Sequence, residues 1–282
     1  MGNHYIPQFY LKGFTEAPDE DLIWAYRKGD EGAFKVSIRK IAQENYFYSQ
    51  DMEQYLANEV ENPANKVLRK IRELQALTWE DKVTLSKYMM VMWKRVPQGK
   101  IWVKKKAPEI IDQVFDRIDR ELVELGNLYP SKIDMVEKRR KELRKLRDTK
   151  EKDFIYDIWA DNIPPDKTPQ SVDVLSHMTW RFFIAGNAQY FITSDNPLFF
   201  FQWMGIGKEK SEVTFPITKN IALQAIWRTD IVESFFQAHN QVVKEINRRT
   251  ASISTKFLYS PYTEDWIQKL VNKSTFRLNR IV

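Results

Sequence analysis

"DLIWAYRKGDEGAFKVSI" occupies Asp21 to Ile38. Two runs rich in aromatic and β-branched residues flank "KGDEG", whose glycines permit a tight reversal. The spacing predicts a β-hairpin close to the N-terminus. A further strand signal, "TKFLYS", lies far downstream at Thr255 to Ser260. Most of the chain between them reads as helix. Strands that bracket a helical middle define an α+β fold. It is expected to be mostly helical, with a small antiparallel sheet from N- and C-terminal segments. A single domain over 1–282 is expected, with a helical section over about 51–162 inserted between strand-containing segments 1–50 and 170–260.

Working outward, "NYFYS" (Asn45 to Ser49) adds a short extended piece, and apolar residues then recur at helical spacing as Leu56, Val60, Ala64, Leu68 and Ile71. Asn62-Pro63 interrupts that stripe, as a kink or as the start of a new helix. Thr78, followed by Glu80 and Asp81, reads as a capped helix start. Tyr88, Met89, Met92, Trp93 and Val96 continue its apolar face up to a break at Pro97. A further helix is expected from about Pro108 to Leu125, and another after Ser131. Beyond Pro164-Pro165, "MTWRFFIA" and "QYFIT" flank "GNA" as a second candidate hairpin, with "SEVTFPIT" and "NIALQAIWR" as further strands. Val232 to Ser252 and Thr263 to Asn272 read as the last helices.

Composition narrows the chemistry. Hydrophobic residues make up 43% of the 282 and charged residues 29%, which suits a folded core with a wet surface. There is no cysteine, so disulfides, thiolate metal sites and cysteine nucleophiles are excluded. P-loop, dinucleotide-binding, zinc-protease and nucleophile-elbow signatures are all missing. No signal peptide is visible, and no apolar run approaches the roughly 20 residues that span a bilayer. A cytoplasmic location without a membrane partner is therefore expected. The formal net charge is +6. Glu137 to Lys152 holds nine Lys/Arg against four Asp/Glu, a run that can attract phosphate backbones.

Three polar residues stand out as candidates, each with a plainer structural alternative. His4 suits a general base or metal ligand, or else a histidine that pins the N-terminus through local hydrogen bonds. Asp195, in "FITSDNPLFF" (Phe191 to Phe200), follows a predicted strand end, where reactive carboxylates are often displayed. Its alternative is an Asx-turn bonded to its own backbone. Glu61 lies beside the proline break, either facing a cleft or solvated on a helix. The basic run is either a nucleic-acid contact or the wet face of a helix laced with Glu–Lys pairs.

Several stretches together resemble a known family. "HYIPQFYLKGF", "LIWAYRK", "EVENPANKVLRKI", "FITSDNP" and "INRRTASISTKFLYS" occur here in that order. They resemble the family called domain of unknown function 4238, found in bacteria and their phages. The resemblance spans roughly Asn3 to Ser260 and leaves the helical middle without a match. It implies a polar group at His4, Gln8, Glu61, Asp195, Asn196 and Asn247. Such side chains are costly to bury unless they form a network or a site.

Two functional readings follow. In the first, His4, Glu61 and Asp195 ligate Mg²⁺ or Mn²⁺ and activate water for phosphodiester hydrolysis of nucleic acid. Gln8, Asn196 and Asn247 then position substrate, and the basic helix holds the backbone. In the second, the protein is a non-catalytic nucleic-acid- or protein-binding module. Its contact is the basic helix 131–152, through Arg139, Arg140, Arg144 and Lys145.

Overall fold

The structure is a computed structural model describing residues 2–186 and 188–281. The chain forms two compact units: residues 1–98 with 164–282, and residues 99–163. The helices over 50–95, expected in the inserted section, belong with the first unit.

The strands, in chain order, are β1 (Gly2–His4), β2 (Leu22–Arg27), β3 (Ala33–Ser37), β4 (Gln43–Asn45), β5 (Thr179–Ile184), β6 (Thr193–Ser194), β7 (Phe199–Phe200), β8 (Glu212–Pro216), β9 (Ile221–Ile226), β10 (Ser234–Gln237) and β11 (Phe257–Ser260). The helices are α1 (Gln8–Leu11), α2 (Gln50–Tyr55), α3 (Asn62–Arg72), α4 (Trp79–Arg95), α5 (Pro97–Leu128), α6 (Ile133–Asp161), α7 (Pro169–His177), α8 (Asn240–Ile253) and α9 (Asp265–Val271). A π-helical turn over Leu56–Glu61 joins α2 to α3.

The N-terminal hairpin forms as read: β2 and β3 pair antiparallel, Leu22 opposite Ser37 and Tyr26 opposite Ala33. β11 closes onto β2 and β6 onto β11, both antiparallel, giving the order β3-β2-β11-β6. The two ends of the chain thus share one small antiparallel sheet, and the fold is α+β. A five-stranded sheet, β10-β5-β9-β8-β7, carries most of the later strands. β8 and β9 are buried along their whole length, the polar Glu212, Thr214 and Gln224 included.

Three local expectations are corrected. The hairpin across "GNA" does not form: β5 pairs with β9 and β10, whereas β6 joins the other sheet. Asn187 of that turn lies outside the described residues. The helix expected from Val232 begins only at Asn240, because Ser234–Gln237 is a strand parallel to β5. α5 also starts well before Pro108 and runs through it.

The first unit packs around the N-terminal stretch. Tyr5, Ile6, Tyr10, Leu11 and Phe14 are buried. The Tyr10 hydroxyl lies 2.8 Å from Thr193 Oγ1 and donates to the Pro216 carbonyl at 2.7 Å. Its ring stacks on Phe215 at 5.3 Å. Gly13 accepts the Lys219 N–H at 2.8 Å, and a Cβ there would meet the Ile217 carbonyl at 3.0 Å. A side chain at this turn would press against the β8–β9 connection. α4 is apolar on several faces, with Leu85, Tyr88, Met89, Val91 and Met92 fully buried. Thr78 and Asp81 close a reciprocal capping box at its start.

Candidate functional site

The six polar residues implied by the resemblance separate into two groups. His4, Gln8 and Glu61 form the first. β1 carries His4, whose Nε2 lies 3.5 Å from Gln8 Nε2. The Tyr48 hydroxyl donates to the His4 carbonyl at 2.9 Å. Asn3 donates to Glu53 at 3.2 Å and accepts the Phe47 N–H at 3.0 Å. Burial lowers the His4 pKa, against the opposing pull of the Arg39 backbone, Glu53 and Glu61. The imidazole is therefore neutral near pH 7.

Glu61 ends the π-helical turn, a wide turn that often marks a functional position. Its carboxylate accepts Arg95 Nη1 at 2.5 Å. Arg95 is fully buried, with Nη2 donating to Met92 Sδ at 3.4 Å and Nε without a partner among the described residues. Burial opposes the Arg95 charge, but Glu61, Tyr48 and Tyr88 outweigh it and hold its pKa up. Glu61 is thus not a free solvated acid on a helix: it neutralises a buried guanidinium.

Asp195, Asn196 and Asn247 form the second group. Asp195 is fully buried and accepts the N–H groups of Thr255, Lys256 and Phe257 at 2.8, 2.6 and 3.1 Å. Burial pushes its carboxyl up to about 6, against those three backbone N–H groups. The Asx-turn is not what forms; Ser194 Oγ makes the local turn instead, accepting the Asn196 N–H at 3.1 Å. Asn196 Nδ2 donates to the Ile253 carbonyl at 3.0 Å. Asn247 bridges backbone on both sides, accepting the Ile192 N–H at 3.0 Å and donating to the Tyr190 carbonyl at 2.9 Å. Together they fasten residues 190–196 to α8 and β11.

The expected metal set is not assembled. Among the described residues, no three His, Cys, Asp or Glu side chains come close enough to hold an ion. The physical reason is visible in the partners: Glu61 is matched to Arg95, and Asp195 to the backbone of 255–257.

Sequence reading missed two buried arginines. Arg95 looks like an ordinary basic residue in the last turn of a helix. Arg249, on α8, is fully buried, donates to Glu212 at 2.7 Å and lies over Phe199 and Phe201 at 5.1 and 5.2 Å. Glu212 also accepts Arg280 Nε at 3.0 Å and the Ile281 N–H at 3.1 Å, which fixes the C-terminal segment. The available signal was "INRRT", two arginines directly after the apolar face of α8.

In the second unit, α6 carries the basic run and α5 carries its complement. Glu109 to Glu124 holds six acids against two arginines. Arg140 binds Asp119 through two bonds of 2.8 and 2.9 Å and also reaches Glu137. Arg147 donates to Asp112 at 2.5 Å, and Arg139 pairs with Glu142 along its own helix. Arg144 acts on Asp119 electrostatically. Lys145 is exposed and forms no ion pair among the described residues. No helix among the described residues is long and apolar enough to cross a membrane.

The family model described as "Protein of unknown function (DUF4238)" matches residues 3–262, and the chain belongs to that family. No curated protein and no solved structure matches it.

Proposed function

We propose that this protein binds nucleic acid through the lysine-bearing face of α6. One observation carries the reading. Lys138, Lys141, Lys145 and Lys152 fall at i, i+3, i+7 and i+14, all on one side of the helix. All four are exposed and form no ion pair among the described residues, whereas Arg140 and Arg147 are engaged by α5. Asp148 interrupts the row but leaves lysines on both sides of it. At roughly 1.5 Å per residue the row spans about 21 Å, the length of about six base pairs of duplex. A row of flexible ammonium groups is suited to phosphates, not to reading base edges, so the expected binding is insensitive to sequence.

The test is the affinity of a labelled oligonucleotide for the wild type and for a variant with all four lysines changed to Glu. Loss of binding in the variant, with an unchanged melting temperature, supports the reading. Equal binding by both proteins overturns it.

The hydrolase reading is less well supported, because Glu61 and Asp195 are both committed to bonds within the protein. Calorimetry with Mn²⁺ is expected to give the same result for the wild type and Asp195→Ala. A site present in the first and absent from the second would restore the metal mechanism.

A further inference from the structure

A cleft of about 350 Å³ lies between α8, α9 and the 188–190 turn, entirely within the first unit. We propose that it is a nucleotide site, stacking a base against Tyr190 and Trp266 and holding its phosphate at Lys244 and Arg248. This goes beyond the α6 reading and does not depend on it.

The helices dictate the lining. Positions 240, 243, 244, 247 and 248 share one face of α8, and 266 and 270 lie one turn apart on α9. Val243 and Leu270 make the wall apolar. Tyr190 and Trp266 have ring centroids 5.9 Å apart, and Trp266 is 39% exposed. An exposed tryptophan at the mouth of an apolar cleft offers a planar base a stacking partner. Gln189 also lines the cleft, and its side-chain oxygen is buried without a hydrogen-bond partner. A base edge carrying an amino group would satisfy it.

The positive charge of the cleft comes from the α8 wall. Lys244 is exposed and forms no ion pair among the described residues. Arg248 donates to the Arg277 carbonyl at 2.7 Å and lies 3.6 Å from Glu245, leaving the guanidinium partly open. Both cations also border a second cleft of about 690 Å³ that includes His239 and Arg280. Glu264 acts on the Tyr190 hydroxyl, at the aromatic end, which disfavours a phosphate there. A nucleotide therefore enters base-first toward Tyr190, with its phosphate on the α8 ridge. The volume suits one small ligand rather than a duplex.

Titration with adenosine 5′-monophosphate, adenosine and inorganic phosphate, followed by calorimetry on the full chain, tests this. Adenosine monophosphate should bind most tightly and phosphate alone most weakly. Trp266→Ala should weaken adenosine monophosphate about tenfold or more through lost stacking. Lys244→Glu should weaken it comparably, with little effect on adenosine, and Lys244→Arg should restore it. Both sites are exposed, and unchanged melting temperatures would show that the fold is intact. The four-lysine variant of α6 should bind adenosine monophosphate normally, which separates the two proposals. No binding at millimolar nucleotide, or equal binding by the wild type, Trp266→Ala and Lys244→Glu, overturns the proposal.

Discussion

Asp195 commits both carboxylate oxygens to three backbone N–H groups. Its replacement by Ala leaves those donors buried and unpaired, so a loss of about 3 kcal/mol or more is expected in denaturant unfolding. Its raised pKa has a definite sign. The folded form holds the proton more tightly than the unfolded chain, whose carboxyl titrates near 3.8. The associated stability is fully present below about pH 4 and is lost as pH rises through about 6. That loss is on the order of 3 kcal/mol. The difference in stability between wild type and Asp195→Asn should change across this window and be flat above it. Arg95 gives a second residue-level prediction. Glu61→Gln leaves a buried guanidinium without its counter-charge and should cost about 3–5 kcal/mol, and Arg95→Met added to it should recover part of that loss. The family resemblance marked Asp195 and Glu61 as polar groups costly to bury. It did not show that the partners of Asp195 lie about 60 residues downstream, or that Arg95 faces Glu61 across a π-helical turn.

At the scale of elements, local rules worked where the partner is local. The β2–β3 hairpin and the Thr78 cap need only neighbouring residues, and both form as read. Thr78→Ala should lower the melting temperature by an amount equivalent to about 1 kcal/mol, with a smaller effect for Thr78→Ser. Reading failed where pairing is decided at long range. "GNA" carries a turn signal, but β5 finds its partners in β9 and β10, and β6 crosses to the sheet shared with β11. β10 was hidden because it is a four-residue strand directly ahead of α8, within one polar-apolar pattern. Gly13 shows the same limit: nothing local marks it as more than a turn glycine, yet a Cβ there would meet the Ile217 carbonyl at a tight 3.0 Å. Gly13→Ala should therefore destabilise the first unit even though residue 13 lies outside any strand, which a thermal-shift measurement would register.

Over the whole molecule, the net charge of +6 is less informative than its distribution. The basic run that stood out in the sequence is partly answered by the acids of α5, and four lysines on the opposite face of α6 remain. The family-specific stretches meanwhile build the scaffold: Tyr10 in the core, Asn247 and Asp195 as backbone clamps, Arg249 as the anchor of the C-terminal segment. The measurement that tests the α6 interface most directly is oligonucleotide affinity against salt concentration, for the wild type and the four-lysine variant. Four phosphate contacts predict a log–log slope about 3.6 steeper for the wild type on duplex DNA. Identical slopes, or no binding by the wild type at low salt, would contradict it.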